Sequence, residues 1–323
     1  MSNLPIVAPT ARTWRGSELS DTSIWTRIVT ASERLGLNGD AGDSSADTSD
    51  AQDLADEIRS ELIHGRGFVL LKGLFSASGD MGEAADVFVR LGQRLGSLRS
   101  QNAAGDLLGH VKDVGRDLDD PTARIYQTNA RQTFHTDSAD AVGLLCIRPA
   151  AEGGRSMLVS VETIYEEMRR TKPHLAAWMF EPLATDRRGE IPDGRDPWFE
   201  IPVLSWHEGQ LSCLYQRQYI DSAARFPDAS PLDPEHRDAL DEFDRLANRP
   251  DLHMVMDLEP GDVQLVHNHG LLHDRTSWID DPTRPRHLLR LWVSLAGDRS
   301  LPPVYEQRYG SIVVGDRGGI VVR

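Results

Sequence analysis

Helical spacing governs the first third of the chain, and strand-like runs govern the rest. Leu54, Ile58 and Leu62 recur every four positions, and Ala84, Phe88, Leu91 and Leu95 recur every three or four, which predicts two amphipathic helices. Ser49-Asp-Ala-Gln52 forms a capping box at the head of the first, and Gly65 and Gly67 end it. Between the two, Phe68-Val-Leu-Leu is a short unbroken apolar run that reads as a buried strand. From Arg124 onward, strand-like runs lie at 142–147, 156–161, 197–204, 211–215, 253–258, 263–267 and 286–295. Helical stretches near 163–169 and 233–247 interrupt them. Many short strands closed by turns, without an internal repeat, predict a mainly β domain with flanking helices and a jelly-roll core whose mouth holds the site.

Two stretches lack this patterning. Residues 1–20 carry Pro, Ser and Thr with little periodicity and are expected to form an arm. Residues 39–53 are rich in Ser, Asp, Ala and Gly, contain no aromatic residue, and are expected to form a mobile acidic loop.

Composition narrows the class. With 39% hydrophobic residues in 323, the chain can bury one large core, and nothing demands a second domain. Cys146 and Cys213 both fall in apolar strand-like runs, as reduced core cysteines of a cytoplasmic protein do. The N-terminus shows no basic region followed by an apolar run, and no stretch approaches the length of a membrane span. The net charge of −15 argues against a nucleic-acid partner, whose phosphates would be repelled. A small molecule is the expected partner.

Candidate chemistry begins with two His-x-Asp triplets. With 11 His and 50 acidic residues, chance alone supplies about one or two. His236-Arg237-Asp238 follows Asp233-Pro234 and precedes apolar residues at Ala239, Leu240, Phe243 and Leu246, a helix on which positions i and i+2 point apart. His135-Thr136-Asp137 instead ends an extended-looking stretch that runs from Arg124 to Thr128 and on from Gln132, where i and i+2 share a face. That pair can close on one ion. A third ligand has to come from the distal half, where His267, His269 and His273 crowd the segment after the Pro260-Gly261-Asp262 turn. His273 is preferred because Arg286 lies 13 residues on, a reach that suits an adjacent antiparallel strand returning past the metal; His267 and His269 remain alternatives. Two histidines and one carboxylate on one face of an octahedral Fe(II) leave the opposite positions open for oxygen and a second small molecule.

The segment 286–295 carries the second signal. Read as a strand, Arg286, Leu288, Arg290 and Trp292 face one way and His287, Leu289, Leu291 and Val293 the other. If the second set packs against helices, both guanidiniums enter the interior, where an unpaired charge is too costly to stand alone. An organic acid is the natural partner for such a planar fork.

At this point the chain resembles the taurine dioxygenase and clavaminate synthase-like (TauD/TfdA) branch of the Fe(II)/2-oxoglutarate dioxygenases. Phe134-His-Thr-Asp137, Gly153-Gly-Arg-Ser156, Pro260-Gly-Asp262 and Leu272-His-Asp-Arg-Thr276, running on to Arg286-His-Leu-Leu-Arg290, carry the likeness in the family's order. The resemblance implies a double-stranded β-helix core and iron ligands at His135, Asp137 and His273. It also implies that Arg286, assisted by the hydroxyl of Ser156, binds the distal carboxylate of 2-oxoglutarate. The second arginine, Arg290, meets a substrate's acidic group in some members, and the spacing leaves the two arginine roles exchangeable. With Fe(II), 2-oxoglutarate and O2 the implied reaction hydroxylates, desaturates or cyclises an unactivated C–H of a small organic acid or natural-product intermediate, releasing succinate and CO2. Halogenation is disfavoured, because related halogenases have a small residue where Asp137 stands.

Gln127 and Asn129, which precede the triplet, are tentative substrate contacts, as are Trp198, Phe199, Trp206, Tyr215 and Tyr219; each reads more readily as a core or strand-pairing residue, and Tyr126 reads as structural. Two rival classes remain open. One is a non-catalytic jelly-roll protein that holds an organic acid on its arginines, the other a metal-dependent hydrolase, although no G-x-S-x-G or H-E-x-x-H motif occurs.

Overall fold

A computed structural model describes residues 4–38, 46–75, 80–116 and 124–320. Its helices are α1 (Ala31–Asn38), α2 (Ala46–Ile63), α3 (Met81–Leu95), α4 (Val161–Thr171), α5 (Pro173–Trp178), α6 (Arg217–Ser222), α7 (Pro234–Ala247) and α8 (Glu306–Tyr309). The strands of the first half are β1 (Thr26–Ile28), β2 (Phe68–Lys72), β3 (Gly96–Arg99), β4 (Leu108–Val111), β5 (Gln132–His135), β6 (Ala141–Arg148), β7 (Glu152–Gly153) and β8 (Ser156–Ser160). Those of the second half are β9 (Pro182–Asp186), β10 (Trp198–Pro202), β11 (Leu204–His207), β12 (Gln210–Cys213), β13 (Met254–Met256), β14 (Val263–His267), β15 (Leu271–Arg275), β16 (Trp278–Ile279) and β17 (His287–Leu295).

Two sheets dominate. The larger has seven strands, in the order β1-β2-β14-β6-β17-β3 with β4 also on β17; the smaller runs β13-β8-β15-β5. Strand alternation decides what each face meets. On β2, Val69 and Leu71 pack with Leu54 and Ile58 of α2 and Phe88 and Leu91 of α3, while Phe68 and Leu70 face the opposite way, towards Leu158 and Met256 of the smaller sheet. On β17, Leu289, Leu291, Val293 and Leu295 join the helical layer and Trp292 the interior between the sheets. Every residue of that strand is buried, which is why its sequence is almost unbroken in apolar character. The smaller sheet turns Met157, Val159 and Leu272 outward against Ile164 and Tyr165 of α4 and Phe243 of α7. Helices therefore cover both outer faces of a double-stranded β-helix, and Arg290 of β17, with Arg286 just ahead of the strand, points into its interior as the alternation predicts. Among the described residues no helix is long and apolar enough to cross a membrane. Cys146 and Cys213 are free and buried.

Several expectations change. The N-terminal segment does not project as an arm: Val7 and Trp14 are buried, Arg12 donates to the carbonyls of Leu62 and Ile63, and the Thr10 and Thr13 hydroxyls donate to Glu162. It docks through point contacts of an irregular chain, which leave no period to read. Of the expected acidic loop, 39–45 lie outside the described residues and 46–53 are the opening turns of α2. The helix starts ahead of Ser49 because Ala51 buries beside Leu54 on its inner face and draws the helix beyond its capping signal. Residues 124–128 are not extended either. Ile125–Gln127 form a 3-10 turn, and the Gln127 side chain accepts from the Arg124 amide at 3.5 Å.

The relation of His273 to Arg286 also differs. β15 belongs to the smaller sheet and β17 to the larger, so the connection passes over the surface from one sheet to the other, with 282–285 exposed, instead of joining neighbouring strands. His273 and Arg286 consequently face one shared space between the two sheets.

Candidate active site

His135 closes β5 and pairs in register with His273 on β15, which brings the two ring centroids to 4.1 Å. Asp137, just past the strand end, supplies the third corner, with Oδ1 3.9 Å from His135 Nε2 and Oδ2 3.7 Å from His273 Nε2. One donor atom from each residue lies within 4.8 Å of the others, a spacing that an ion about 2.1 Å from each can bridge. The His135 Nδ1 lies 2.8 Å from the Thr133 carbonyl, which fixes the proton on Nδ1 and turns Nε2 to the shared space. Asp137 is held from behind: the Trp292 indole donates to its Oδ2 at 2.8 Å, and its amide donates to Asn268 at 3.1 Å.

The electrostatics suit a metal. Burial, reinforced by His273, pushes the His135 imidazole down to about 3. Burial would raise the Asp137 carboxyl, but the Arg290 guanidinium and then His273 outweigh it and hold the group well below the usual carboxylate range. Neutral imidazole and ionised carboxylate are the forms that ligate.

On one side of the three donors lies a cleft of about 490 Å³, to which Ser156, Arg275 and Arg286 contribute. Arg286 Nη1 is buried without a partner. Burial pushes that guanidinium down to about 10, outweighing Cys146 and Asp280, and among the described residues no carboxylate forms an ion pair with it. Its carbon stands 4.7 Å from the Trp278 ring centroid, and that of Arg275 stands 4.0 Å away. Gly154, at φ +67°, lies under Arg286; a Cβ there would come within 3.0 Å of its Nε. Gly154 thus serves the arginine's approach, whereas Gly153 makes room for the Ser277 carbonyl. Ser156 Oγ donates to Gln264 at 2.9 Å, and its hydroxyl can rotate to donate to an incoming carboxylate instead. An unneutralised fork beside three metal donors fits a dicarboxylate that chelates the ion.

On the other side lies a cavity of about 730 Å³, measured to its open mouth, shared by His135, Asp137, Tyr126, Phe199, Tyr215 and Tyr219. Arg290 stands at the partition and borders both spaces. Its Nε donates to Gln101 at 2.7 Å, its Nη1 is 3.6 Å from Asp137 Oδ2, and the rings of Tyr126 and Trp292 flank it at 4.6 and 4.8 Å. Gln127 and Asn129 border neither space. Gln127 is used in its own turn, and Asn129 is exposed, its carbonyl accepting from the Trp278 amide. Trp198 and Trp206 also stay out of the cavity.

The other histidines are engaged elsewhere. His267 Nε2 lies 3.1 Å from Asp298, and His269 Nε2 lies 2.8 Å from Asp140. His236 sits on α7 with its ring 4.6 Å from that of Trp178. Sequence reasoning passed over Arg275, two residues beyond His273 and so on the same strand face, and over Arg124 and Arg308, which lie in short irregular elements with no period to betray them.

The family model described as "Taurine catabolism dioxygenase TauD, TfdA family" matches residues 33–292. The chain is 32% identical to FR-33289 synthase of Streptomyces rubellomurinus, over 90% of this chain and 91% of that protein. It is 30% identical to a uridine-5'-phosphate dioxygenase of a Streptomyces species, over 56% of this chain and 72% of that one. Among solved structures, asparagine oxygenase in complex with Fe(II), hydroxyasparagine and succinate superposes with a TM-score of 0.62 at 17% identity, covering 83% of this chain and 93% of the other.

Proposed function

The chain belongs to the TauD, TfdA family and is an Fe(II)- and 2-oxoglutarate-dependent dioxygenase, and from that premise we propose which residues serve the reaction. His135, Asp137 and His273 hold the iron; Arg286 and Ser156 hold the far carboxylate of 2-oxoglutarate; the larger cavity takes a small organic acid. The bound metal and cosubstrate together supply oxidation of an unactivated C–H, with 2-oxoglutarate leaving as succinate and CO2.

The residues of the chain position these parts. The register of β5 against β15 sets the angle between the two imidazoles, and Trp292 and Asn268 keep Asp137 from turning away. Arg286 is favoured over Arg290 for 2-oxoglutarate because its fork is free, whereas Arg290 is tied to Gln101 and leans towards Asp137. Arg290 is left to screen Asp137 and to border the substrate. The aromatic wall of Tyr126, Phe199 and Tyr215 excludes water and holds one C–H close to the metal. Hydroxylation is the proposed outcome, in the cytoplasm, where the free thiols of Cys146 and Cys213 stay reduced. An acidic substrate accords with the one that the uridine-5'-phosphate dioxygenase is named for.

The observation that carries the reading is the convergence of three donors between a cleft with an unneutralised guanidinium and a second, open cavity. Anaerobic addition of Fe(II) and 2-oxoglutarate to metal-free protein is expected to give a visible metal-to-ligand charge-transfer band. Well-folded protein without that band would overturn it.

A further inference from the structure

Arg308 lies on α8, beyond the last residue of the family match, and borders the same cavity as His135 and Asp137. Its Nε donates to Ser138 Oγ at 2.8 Å, and its guanidinium carbon stands 5.6 Å from the Phe199 ring centroid. Among the described residues no carboxylate forms an ion pair with it. Glu190, the nearest acid acting on it, is committed to Arg124, which also donates to the Tyr219 hydroxyl at 2.7 Å. Arg187 adds to the surplus of charge: burial, and then Arg308 itself, pushes that guanidinium down to about 10.

The balance around the cavity is therefore uneven. Among the described residues three guanidiniums, of Arg124, Arg290 and Arg308, border it, and the only bordering carboxylate is Asp137, which the metal would share. With Arg124 neutralised by Glu190, the cations of Arg290 and Arg308 are left facing one space. A planar carboxylate brings one charge and two oxygens. A tetrahedral group of two negative charges brings three oxygens, enough for the Arg308 fork and for the proton that Ser138 keeps after accepting from Nε. Ser138 directly follows Asp137, so a molecule anchored there begins beside the metal corner.

We propose that Arg308, with Ser138, binds a doubly charged tetrahedral oxyanion at one end of the substrate, a phosphonate or a phosphate monoester. The proposal rests on the larger cavity being the substrate site, and it moves the substrate's acidic group from Arg290, where the sequence placed it, to a residue outside the family motif.

The probes are methylphosphonate, methyl phosphate and acetate, titrated by calorimetry into metal-free full-length protein. Methylphosphonate or methyl phosphate is expected to bind, whichever is tighter naming the source of the group, and acetate to bind about tenfold more weakly or less. Arg308→Gln should weaken the phosphorus anion at least about tenfold, with Arg308→Lys in between, since it keeps the charge and loses the fork. Arg286→Ala should leave that affinity within about twofold, and Arg308→Gln should keep the Fe(II)/2-oxoglutarate band, which also shows that the variant is folded. Binding that ignores Arg308→Gln, that disappears with Arg286→Ala, or that is no tighter than for acetate would overturn the proposal. A missing band in wild-type protein whose anion binding still depends on Arg308 would instead sink the metal-centre reading and leave the anion site standing.

Discussion

His135, Asp137 and His273 form one buried cluster of two histidines and one aspartate, and Asp140, His269 and Asp298 form another of one histidine and two aspartates, with Asp140 three residues beyond Asp137. Residue types and burial match, yet the two are finished differently. In the second, Arg317, with no exposed surface, reaches both carboxylates, its Nε 2.7 Å from Asp140 and its Nη2 3.2 Å from Asp298. Ser294 Oγ and the Leu295 amide donate to the remaining Asp140 oxygen. Arg317, together with Arg299 acting on Asp298, balances the two carboxylates within the protein, which leaves no need for an ion. In the first, the nearest cation, Arg290, stands 3.6 Å off, and among the described residues only the Gln132 amide reaches His135 Nε2. A donor set keeps room for an ion when its counter-charge stands aside, and becomes a structural lock when an arginine bonds its carboxylates directly.

The largest expected effects separate the clusters outright. His135→Ala, Asp137→Ala and His273→Ala should each abolish turnover and the charge-transfer band while shifting the melting temperature by only a few degrees, since packing rests on the apolar strands. His269→Ala should do the reverse, keeping the band and lowering the melting temperature; the opposite pattern would exchange the two histidines' roles.

Arg286→Ala comes next. Removing a charged partner from a buried pair costs on the order of 3 to 5 kcal/mol, so 2-oxoglutarate should bind roughly a thousandfold more weakly. Titration of the band measures this, and unchanged affinity would move the role to Arg290. In the locked cluster, Arg317→Met should cost about 3 kcal/mol of unfolding free energy in urea without altering 2-oxoglutarate affinity. A loss of affinity instead would mean that the lock sets the geometry of the neighbouring metal loop. The smallest effect is expected of Ser156→Ala, about 1 kcal/mol or fivefold in 2-oxoglutarate affinity, the share of one hydroxyl hydrogen bond.

What the sequence shows of this difference is partial, for physical reasons. Local periodicity places Arg286 and Arg290 inside because Leu289, Leu291 and Val293 alternate with them, and an i, i+2 pair at a strand end announces His135 and Asp137. The choice among His267, His269 and His273 depends on partners far along the chain, Asp298 and Asp140, whose approach no local pattern records. The crossing from β15 to β17 was misread for a similar reason, since a 13-residue connection is as compatible with changing sheets as with returning to a neighbour. Arg308, Arg317 and the docked segment around Trp14 act singly, through one side chain and one or two hydrogen bonds, and leave no repeat to detect.

The indole of Trp292, one of seven tryptophans, is hydrogen-bonded at 2.8 Å to Asp137 Oδ2, which leaves the other oxygen, Oδ1, open to an ion at the proposed metal site. That contact makes the ring an optical gauge of the metal corner. Its emission is expected to quench as Fe(II) or Co(II) arrives, and Trp292→Phe should remove that component of the signal, so occupancy can be followed in dilute protein before any substrate is known.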